Sequence, residues 1–279
     1  MSPQVTRLAD GRLHLHHGPI DLILSADGPG AAGAEARAMA RFHGLLEELV
    51  AELPALRSPA PQPLRGPVAR VMAAAVAPFS PDFITPMAAV AGAVAEAVLA
   101  AMVAGSGVTR AYVNNGGDIA LHLAPGQRYD VAVAARPGQP DRIVVRFEDP
   151  VRGIATSGWR GRSQSFGIAD AVTVLARTAA MADAAATMIA NAVDLPDHPA
   201  ILRKPAVAVK ADSDLGNRLV TTGVGCLSAA DAAQALARGQ AVAQAAHARG
   251  LIEGAALFLQ SDMRLAGACP ALECLNHDP

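Results

Sequence analysis

Three short segments between Tyr112 and Asp194 decide how this chain is interpreted: Asn114-Asn115-Gly116-Gly117-Asp118, Thr156-Ser157-Gly158 and Ala182-Asp183-Ala184-Ala185-Ala186-Thr187. The first two segments are glycine turns expected at the ends of strands. The third places a carboxylate and a hydroxyl four residues apart on a predicted helix, so both lie on one face. Backbone amides at glycine turns suit a phosphate, and an Asp/Thr pair suits a hard cation such as Mg²⁺. In this order the segments indicate a site for a nucleotide-like diphosphate held through a metal.

The composition predicts a globular protein whose core is built from small and aliphatic side chains. Hydrophobic residues make up 52% of the 279 residues, whereas aromatic residues make up 3%. This length suffices for one large domain, and we expect a single domain over residues 1–279 with a proline-rich connection at 54–67. The formal net charge of -2 provides no basic field, which argues against nucleic acid as a partner.

The cysteines and the apolar segments indicate in which cellular compartment the protein is expected. The three cysteines, Cys226, Cys269 and Cys274, have no CxxC spacing, which argues against a disulfide framework or a zinc site. Residues 1–21 contain no apolar segment typical of a signal peptide. The apolar run Met87–Val103 is short for a bilayer span and contains Glu96. We therefore expect a cytoplasmic protein without a membrane partner, and its alanine-rich helices are compatible with a homodimer.

Hydrophobic periodicity predicts a mixture of helices and strands. Helices are predicted over residues 33–53, 67–77, 85–104, 179–192 and 228–249. Strands are predicted as a hairpin over 12–26, then over 110–114, 119–123, 129–134, 142–147, 153–156, 169–175, 207–209 and 219–224, and as a hairpin over 255–260 and 263–267. Gly92 within the third helix indicates close contact with another backbone or a ligand. This order favours an α+β fold with helices packed on one face of an antiparallel sheet.

Two polar groups outside the opening segments are also candidates for chemistry. His14 and His16 share a face of the first predicted hairpin, a spacing that a metal could use, although no third ligand is evident nearby. Arg160 and Arg162 could clamp a phosphate or carboxylate in the loop that contains Trp159, the single tryptophan, which could stack on a flat ring. Asp170 is a candidate general base or a strand-end cap. The alternatives are solvated histidines and an exposed basic loop.

At these segments the chain resembles the ApbE-like superfamily, whose characterised members are FAD:protein FMN transferases, and within it an uncharacterised branch. The resemblance is carried by Phe83–Gly92, Asn114–Ile119, Gly153–Gly158, Ser165–Leu175, Ala182–Thr187 and Ser213–Gly216. It implies a T-fold-like α+β architecture that binds FAD beside a Mg²⁺ ion.

The resemblance also implies roles for individual residues. Asp183 and Thr187 match the Asp and Thr of an A-D-A-x-x-T helix that ligates the metal, and Ala88 is the nearest counterpart of a residue whose backbone carbonyl is a further ligand. The family's G-G-D and T-S-G turns line the flavin nucleotide. The matching residues, together with the asparagine that precedes them, are Asn115, Gly116, Gly117, Asp118, Thr156, Ser157 and Gly158.

The chain departs from the transferase pattern at two places. Ala91 stands where the transferases carry a lysine, and residues 159–171 contain no histidine, although the family's loop after T-S-G carries one. The sequence therefore leaves three functions open. They are a divergent transferase acting on the FAD pyrophosphate, a non-catalytic flavin- or nucleotide-binding module, and a metabolic enzyme acting on an unrelated small acidic substrate.

Overall fold

The computed structural model describes residues 2–136, 139–267 and 272–273, so that Cys269 and Cys274 lie outside the described residues. The chain forms two units. Unit 1 comprises Met1–Tyr129, Val145–Ala155 and Ala176–Asp183, and unit 2 comprises Asp130–Val144, Thr156–Leu175 and Ala184–Pro279. The expectation of a single domain over residues 1–279 stays a prediction.

An antiparallel ladder of strands supports unit 1. In order of pairing, its strands are β1 (Gln4–Arg7), β2 (Leu13–His17), β3 (Ile20–Asp27), β4 (Arg110–Asn115) and β5 (Asp118–Leu123). Alternate residues of β2 are buried because successive side chains point to opposite faces of a sheet. The first predicted hairpin is confirmed. Strand β1 was not predicted, because all four of its residues are exposed and carry no apolar alternation.

In the part of the chain that the structure describes, five α-helices lie wholly within unit 1. They are α1 (Ala31–Phe42), α2 (Leu45–Ala51), α3 (Leu53–Leu56), α4 (Pro67–Val76) and α5 (Val90–Val103). The prediction of one continuous helix over 33–53 is wrong, because Gly44 adopts a left-handed conformation with φ of 82° and separates α1 from α2. Pro54 does not end a helix but lies in the first turn of α3, where its missing amide hydrogen removes no helical hydrogen bond.

Helix α5 lies at the centre of unit 1 and contacts α1, α4, β4 and β5. It follows a short 3₁₀ helix, Pro86–Ala89, so the predicted start at Thr85 is confirmed in position, whereas the Thr85 side chain makes no capping hydrogen bond. Pro86–Val103 is long and apolar enough to cross a membrane by length and composition alone, but 50% of this stretch is buried inside the protein. Helices α1 and α5 also contact strands β2 to β5, as expected for helices packed on an antiparallel sheet.

Five strands and two helices continue the chain after unit 1's ladder. They are β6 (Arg128–Arg136), β7 (Gln139–Arg146), β8 (Gly153–Ser157), β9 (Ala171–Ala176), α6 (Ala179–Ala192), β10 (Ile201–Pro205) and α7 (Ala206–Val209), of which β6, β7, β8, β9 and α6 contribute residues to both units. The strand predicted at 207–209 is wrong, because this segment forms α7. The true strand, β10, lies just before it and has mostly exposed or partly exposed residues, which give no apolar signal.

The last elements of unit 2 match the predictions closely, except for β14, which was not predicted. They are β11 (Leu219–Val224), α8 (Ala229–Ala248), β12 (Gly254–Leu259), β13 (Asp262–Gly267) and β14 (Leu272–Glu273). The Ser228 side chain caps α8 by accepting a hydrogen bond from Asp231 N. Strand β12 pairs antiparallel with both β9 and β13, and α8 packs on β12 and β13. The predicted α+β class with antiparallel sheets is thus confirmed.

Candidate functional site

The predicted metal ligand Asp183 caps the N-terminus of α5. Gly92 N donates to Asp183 Oδ2 over 3.0 Å, and Ala91 N also donates to this carboxylate. Both amides belong to the first turn of α5, where backbone amides have no acceptor within the helix. Ala89 provides no side-chain cap, so the carboxylate supplies it, and its charge is favourable at the positive end of the helix dipole.

Gly92 lies where two helices approach closely. A Cβ atom at this position would come within 2.2 Å of Ala179 O and 2.7 Å of Ala180 N, at the start of α6. Real side chains do not tolerate such distances to backbone atoms. The close backbone contact predicted at Gly92 is therefore confirmed, and the contacting backbone belongs to a helix.

Glu96, one turn further along α5, caps α6 in return. Its Oε1 accepts a hydrogen bond from Ala180 N over 2.7 Å, and Thr178 and Ala179 N also donate to this carboxylate. Burial raises the pKa of Glu96, and these hydrogen bonds oppose the rise. No role was predicted for Glu96 from the sequence. A single carboxylate within an otherwise apolar helix was the signal that could have identified it.

A second carboxylate lies near Asp183. Burial is the main cause that raises the pKa of Asp183 well above its ordinary value, and the negative charge of Asp118 raises it further. The hydrogen bonds from Gly92 and Ala91 oppose this rise. A divalent cation beside the two carboxylates would favour their ionised forms, and carboxylate oxygens are the ligands that Mg²⁺ takes. The chemistry of these residues therefore fits the predicted ion.

The Asn114–Asp118 segment forms the tight turn between β4 and β5, with Asn115 paired opposite Asp118. Gly116 and Gly117 have φ values of 64° and 115°, a conformation that favours glycine. Gly117 N donates to Asn114 Oδ1 over 2.8 Å, so this amide is used within the turn. Asn115 is buried, and its Nδ2 donates to Ala91 O over 3.2 Å. The turn is thus tied to the part of α5 that also contacts Asp183.

In the Thr156-Ser157-Gly158 segment of unit 2, Thr156 and Ser157 end β8 and Gly158 follows it. Thr156 Oγ1 lies 2.9 Å from Thr173 Oγ1 of β9 and shares a hydrogen bond with it. A Cβ atom at Gly158 would lie 2.6 Å from Asp170 O. Glycine is therefore required here because the turn passes directly against the backbone that leads into β9.

Asp170 holds the loop that contains the single tryptophan. Its Oδ1 accepts from Trp159 Nε1 over 3.1 Å and from Arg160 Nε over 2.5 Å, and its Oδ2 accepts from Gln260 N over 2.5 Å. The Arg160 guanidinium lies 4.9 Å from the centre of the Trp159 ring and covers one of its faces. Three donors thus occupy the candidate base, whereas Arg162 is exposed.

The far end of the same loop is also fixed. Asn191 Oδ1 accepts hydrogen bonds from Ser165 Oγ over 3.1 Å and from Phe166 N over 2.9 Å. Arg203 donates to Phe166 O and pairs with Asp194. Both ends of the loop that follows the T-S-G turn are therefore held by buried or partly buried polar groups of unit 2. These anchors were not predicted, because the residues that form them lie outside the loop, in α6, in β10 and between these two elements.

The other residues that were considered as metal ligands are Thr187, Ala88 and His14. Thr187 follows Asp183 by one turn in α6 and is partly buried. Ala88 lies in the 3₁₀ helix before α5, where its amide donates to Thr85 O. His14 Nε2 lies 2.8 Å from Asp21 Oδ1, which gives this histidine a structural partner. Among the residues that the structure describes, no group of three or more His, Cys, Asp or Glu side chains is placed to hold a metal.

Comparison with known proteins adds a family and several relatives. A family model described as "AbpE bacteria" matches residues 5–265. A UPF0280 protein of Methanopyrus kandleri is 33% identical over 189 residues, which cover 66% of this chain and 75% of that protein. The UPF0280 proteins of Methanothrix thermoacetophila and Methanoregula boonei are 37% and 44% identical over 49% and 41% of this chain, and the matches span 56% and 49% of those proteins.

One solved structure is also similar over its whole length. The apo form of the flavinyl transferase ApbE from Pseudomonas stutzeri aligns over 100% of this chain and 99% of that chain. The TM-score of this alignment is 0.46 and the sequence identity is 13%.

Proposed function

The chain belongs to the ApbE-related family described as "AbpE bacteria", and on this premise we propose that it binds FAD or a related dinucleotide together with Mg²⁺. Membership of this family implies a function related to flavin transfer in general. One observation carries the finer proposal. Asp183, the residue that the resemblance assigns to the metal, is a partly buried carboxylate next to Asp118 at the start of α5.

Within unit 1, the proposal assigns the ion to Asp183 and the backbone carbonyl of Ala88, and the nucleotide to the turn Asn115–Asp118. In unit 2, the resemblance assigns Thr187 to the metal and the turn Thr156–Gly158 to the nucleotide. When bound, Mg²⁺ supplies positive charge that neutralises a diphosphate. The chain's own contribution is orientation, because the first amides of α5 hold the Asp183 carboxylate before any ligand arrives. The second contribution is electrostatic. The negative charge of Asp118 disfavours the ionised form of Asp183, and this repulsion favours the uptake of a cation.

Transfer of FMN would also need an acceptor hydroxyl group and a base that takes its proton. The hydroxyl oxygen of an acceptor would form a bond to the FMN phosphorus, the phosphorus–oxygen bond to AMP would break, and AMP would leave with the bridging oxygen. The hydroxyl proton would have to pass to a base. Asp170 was the candidate, but an incoming hydroxyl would compete with Trp159, Arg160 and Gln260 N for its oxygens. This geometry favours Asp170 as the anchor of its loop and leaves the exposed Arg162 as the candidate contact for a phosphate.

A non-catalytic flavin- or nucleotide-binding module is the second candidate. It is favoured by the absence of histidine from residues 159–171 together with the hydrogen bonds that occupy Asp170. The third candidate, a metabolic enzyme for a small acidic substrate, would use Arg162 and would need neither the flavin nor Asp183.

Thermal unfolding separates these candidates. Wild-type protein, Asp183→Asn and a control with the exposed carboxylate Asp82 replaced, Asp82→Asn, are measured with FAD, with MgCl₂, and with both. We expect wild type and Asp82→Asn to be stabilised only when both are present, and Asp183→Asn to lose this effect. Release of AMP in the same mixture would identify a transferase, whereas stabilisation without AMP would identify the binding module. A wild-type melting temperature that neither additive changes would overturn the proposal.

A further inference from the structure

Helices α5 and α6 cap each other's first turns within unit 1. Asp183, in the second turn of α6, accepts from Gly92 N in the first turn of α5 over 3.0 Å. Glu96, in the second turn of α5, accepts from Ala180 N in the first turn of α6 over 2.7 Å. Each carboxylate therefore satisfies backbone donors that have no acceptor within their own helix. The position of either carboxylate depends on where the other helix begins.

The start of α6 has little freedom to shift. On one side, a Cβ atom at Gly92 would lie 2.2 Å from Ala179 O. Another glycine, Gly153 in β8, approaches the same segment so closely that a Cβ atom there would lie 2.2 Å from Thr178 O. The segment Thr178–Ala180 therefore packs closely against the backbone at both glycines. Glu96 also holds it by accepting hydrogen bonds from this segment.

We infer that Glu96 is a positioning residue for Asp183, which it places by holding the first amides of α6. This inference rests on the proposed function, because it takes Asp183 as a ligand of the cation. A helix turn is rigid, so a shift at Ala180 is transmitted to Asp183, three residues later. Partners that orient a metal ligand typically contribute about 10- to 100-fold to metal affinity. The contribution of Glu96 is expected in this range.

Two substitutions distinguish the effect of the length of the Glu96 side chain from the effect of its negative charge. Glu96→Gln keeps the length of the side chain and an acceptor oxygen but removes the charge. Glu96→Asp keeps the charge but shortens the side chain by one methylene group, so its oxygens no longer meet Ala180 N without moving α6. A positioning role predicts that Gln preserves the site and that Asp impairs it. A role through negative charge predicts the reverse order.

Amide hydrogen exchange tests the inference without any ligand. In the full-length protein we expect the Gly92 amide, which is held by Asp183, to lose protection in Glu96→Asp and to keep it in Glu96→Gln. Loss of protection at Ala180 alone, with Gly92 unchanged in Glu96→Asp, would overturn the inference, because Glu96 would then cap α6 without placing Asp183. If Glu96→Asp does not fold, loss of Gly92 protection in Glu96→Gln would overturn it equally.

Magnesium affinity provides the second readout, measured as the MgCl₂ concentration that gives half of the stabilisation in the presence of FAD. We expect Glu96→Asp to raise this concentration about tenfold or more, and Glu96→Gln to leave it unchanged. Ser228→Ala is the matched control, because it removes the cap of α8 and lowers stability without changing this concentration. A wild-type protein without any response to MgCl₂ and FAD would refute the proposed function, while the exchange experiment would still decide the role of Glu96. Equal magnesium affinities of Glu96→Asp and wild type would overturn the inference that Glu96 positions Asp183.

Discussion

Glu96 and Asp183 exchange hydrogen bonds with the beginnings of each other's helices: Glu96 Oε1 accepts from Ala180 N over 2.7 Å, and Asp183 Oδ2 accepts from Gly92 N over 3.0 Å. The two residues are far apart in the chain, and neither contact is local. This arrangement joins the most apolar helix of unit 1 to the helix that carries the predicted metal ligand. It also makes the beginning of α5 a sensitive point for stability.

Replacing Gly92 with alanine is expected to destabilise the protein. The new Cβ atom would meet Ala179 O at 2.2 Å, a backbone atom that cannot rotate away. Overpacking of this kind costs about 1–3 kcal/mol in the free energy of unfolding. Urea denaturation measures the loss.

Gly33→Ala is a matched control for this substitution. Gly33 is the third residue of α1, as Gly92 is of α5, but a Cβ atom there would meet only the flexible end of Arg37, at 3.1 Å. We expect it to be neutral, or stabilising by about 0.5–1 kcal/mol, because alanine favours helix over glycine. Equal effects of the two substitutions would contradict the close contact at Gly92.

The pH dependence of stability should report on Glu96. Burial raises its pKa in the folded protein above the ordinary value of 4.5, so the folded state binds the proton more tightly than the unfolded chain. This group's contribution to stability is therefore fully present below the unfolded pKa and is lost as the pH rises through the folded pKa. Glu96→Gln removes this dependence, because glutamine does not titrate.

Urea unfolding of wild type and Glu96→Gln between pH 4 and pH 7.5 measures this effect. The stability of the glutamine variant relative to wild type is expected to increase with pH over the lower part of this range and then to become constant. A relative stability that decreases with pH would show that the carboxylate is better stabilised in the folded protein than in water, contrary to the effect of burial.

Asp170 is expected to control the environment of Trp159. Asp170→Ala would leave the indole amine, the Arg160 guanidinium and Gln260 N without their acceptor, which costs about 1–3 kcal/mol for a poorly solvated donor. Because Trp159 is the single tryptophan, its fluorescence reports on this loop alone. We expect a red-shifted emission maximum and lower stability in Asp170→Ala.

Asp170→Asn keeps one acceptor oxygen and should show a smaller change in both measurements. Asp262→Ala, which removes a carboxylate from the neighbouring hairpin of unit 2, is the control and should leave the emission maximum in place. An unchanged spectrum in Asp170→Ala would mean that the loop does not depend on this carboxylate.

Ser228 is expected to stabilise α8 by about 1 kcal/mol through its hydrogen bond with Asp231 N, which lies at 3.1 Å. Ser228→Ala should lower the free energy of unfolding by this amount, and Ser228→Thr should retain most of it. Chemical denaturation measures both variants. A loss of similar size in the threonine variant would indicate that the serine contributes by something other than its hydroxyl oxygen.

Local sequence signals predicted those elements whose apolar residues follow one period. Helices α4 and α8 and both terminal hairpins were predicted in this way. Strand β1 and strand β10 were missed because their exposed residues show no alternation, and α7 was mistaken for a strand because its two valines alternate with alanine. The break between α1 and α2 depends on the left-handed conformation of Gly44, which a periodic pattern does not reveal.

In the candidate site, individual residues were also predicted from the sequence, whereas the contacts between them were not. Asp183 and Gly92 were each identified from the sequence, one from its motif and one as a glycine in an apolar helix. Their hydrogen bond joins residues 91 positions apart, and no local pattern encodes such a contact. The role of Glu96 was missed for this reason, since its partner Ala180 lies 84 positions further along the chain. The sequence shows the carboxylate, but the backbone amides that donate hydrogen bonds to it become its neighbours only in the folded protein.

The hydrogen bond from Gly92 also restricts the Asp183 side chain before any ion binds. Its Oδ2 accepts from a backbone amide of α5, so the rotamer freedom of this side chain is lost when the protein folds. An aspartate on an open surface would lose that freedom only on binding the ion, at a cost in entropy that opposes binding. A cation that used Asp183 would therefore meet a ligand whose conformational entropy has already been given up.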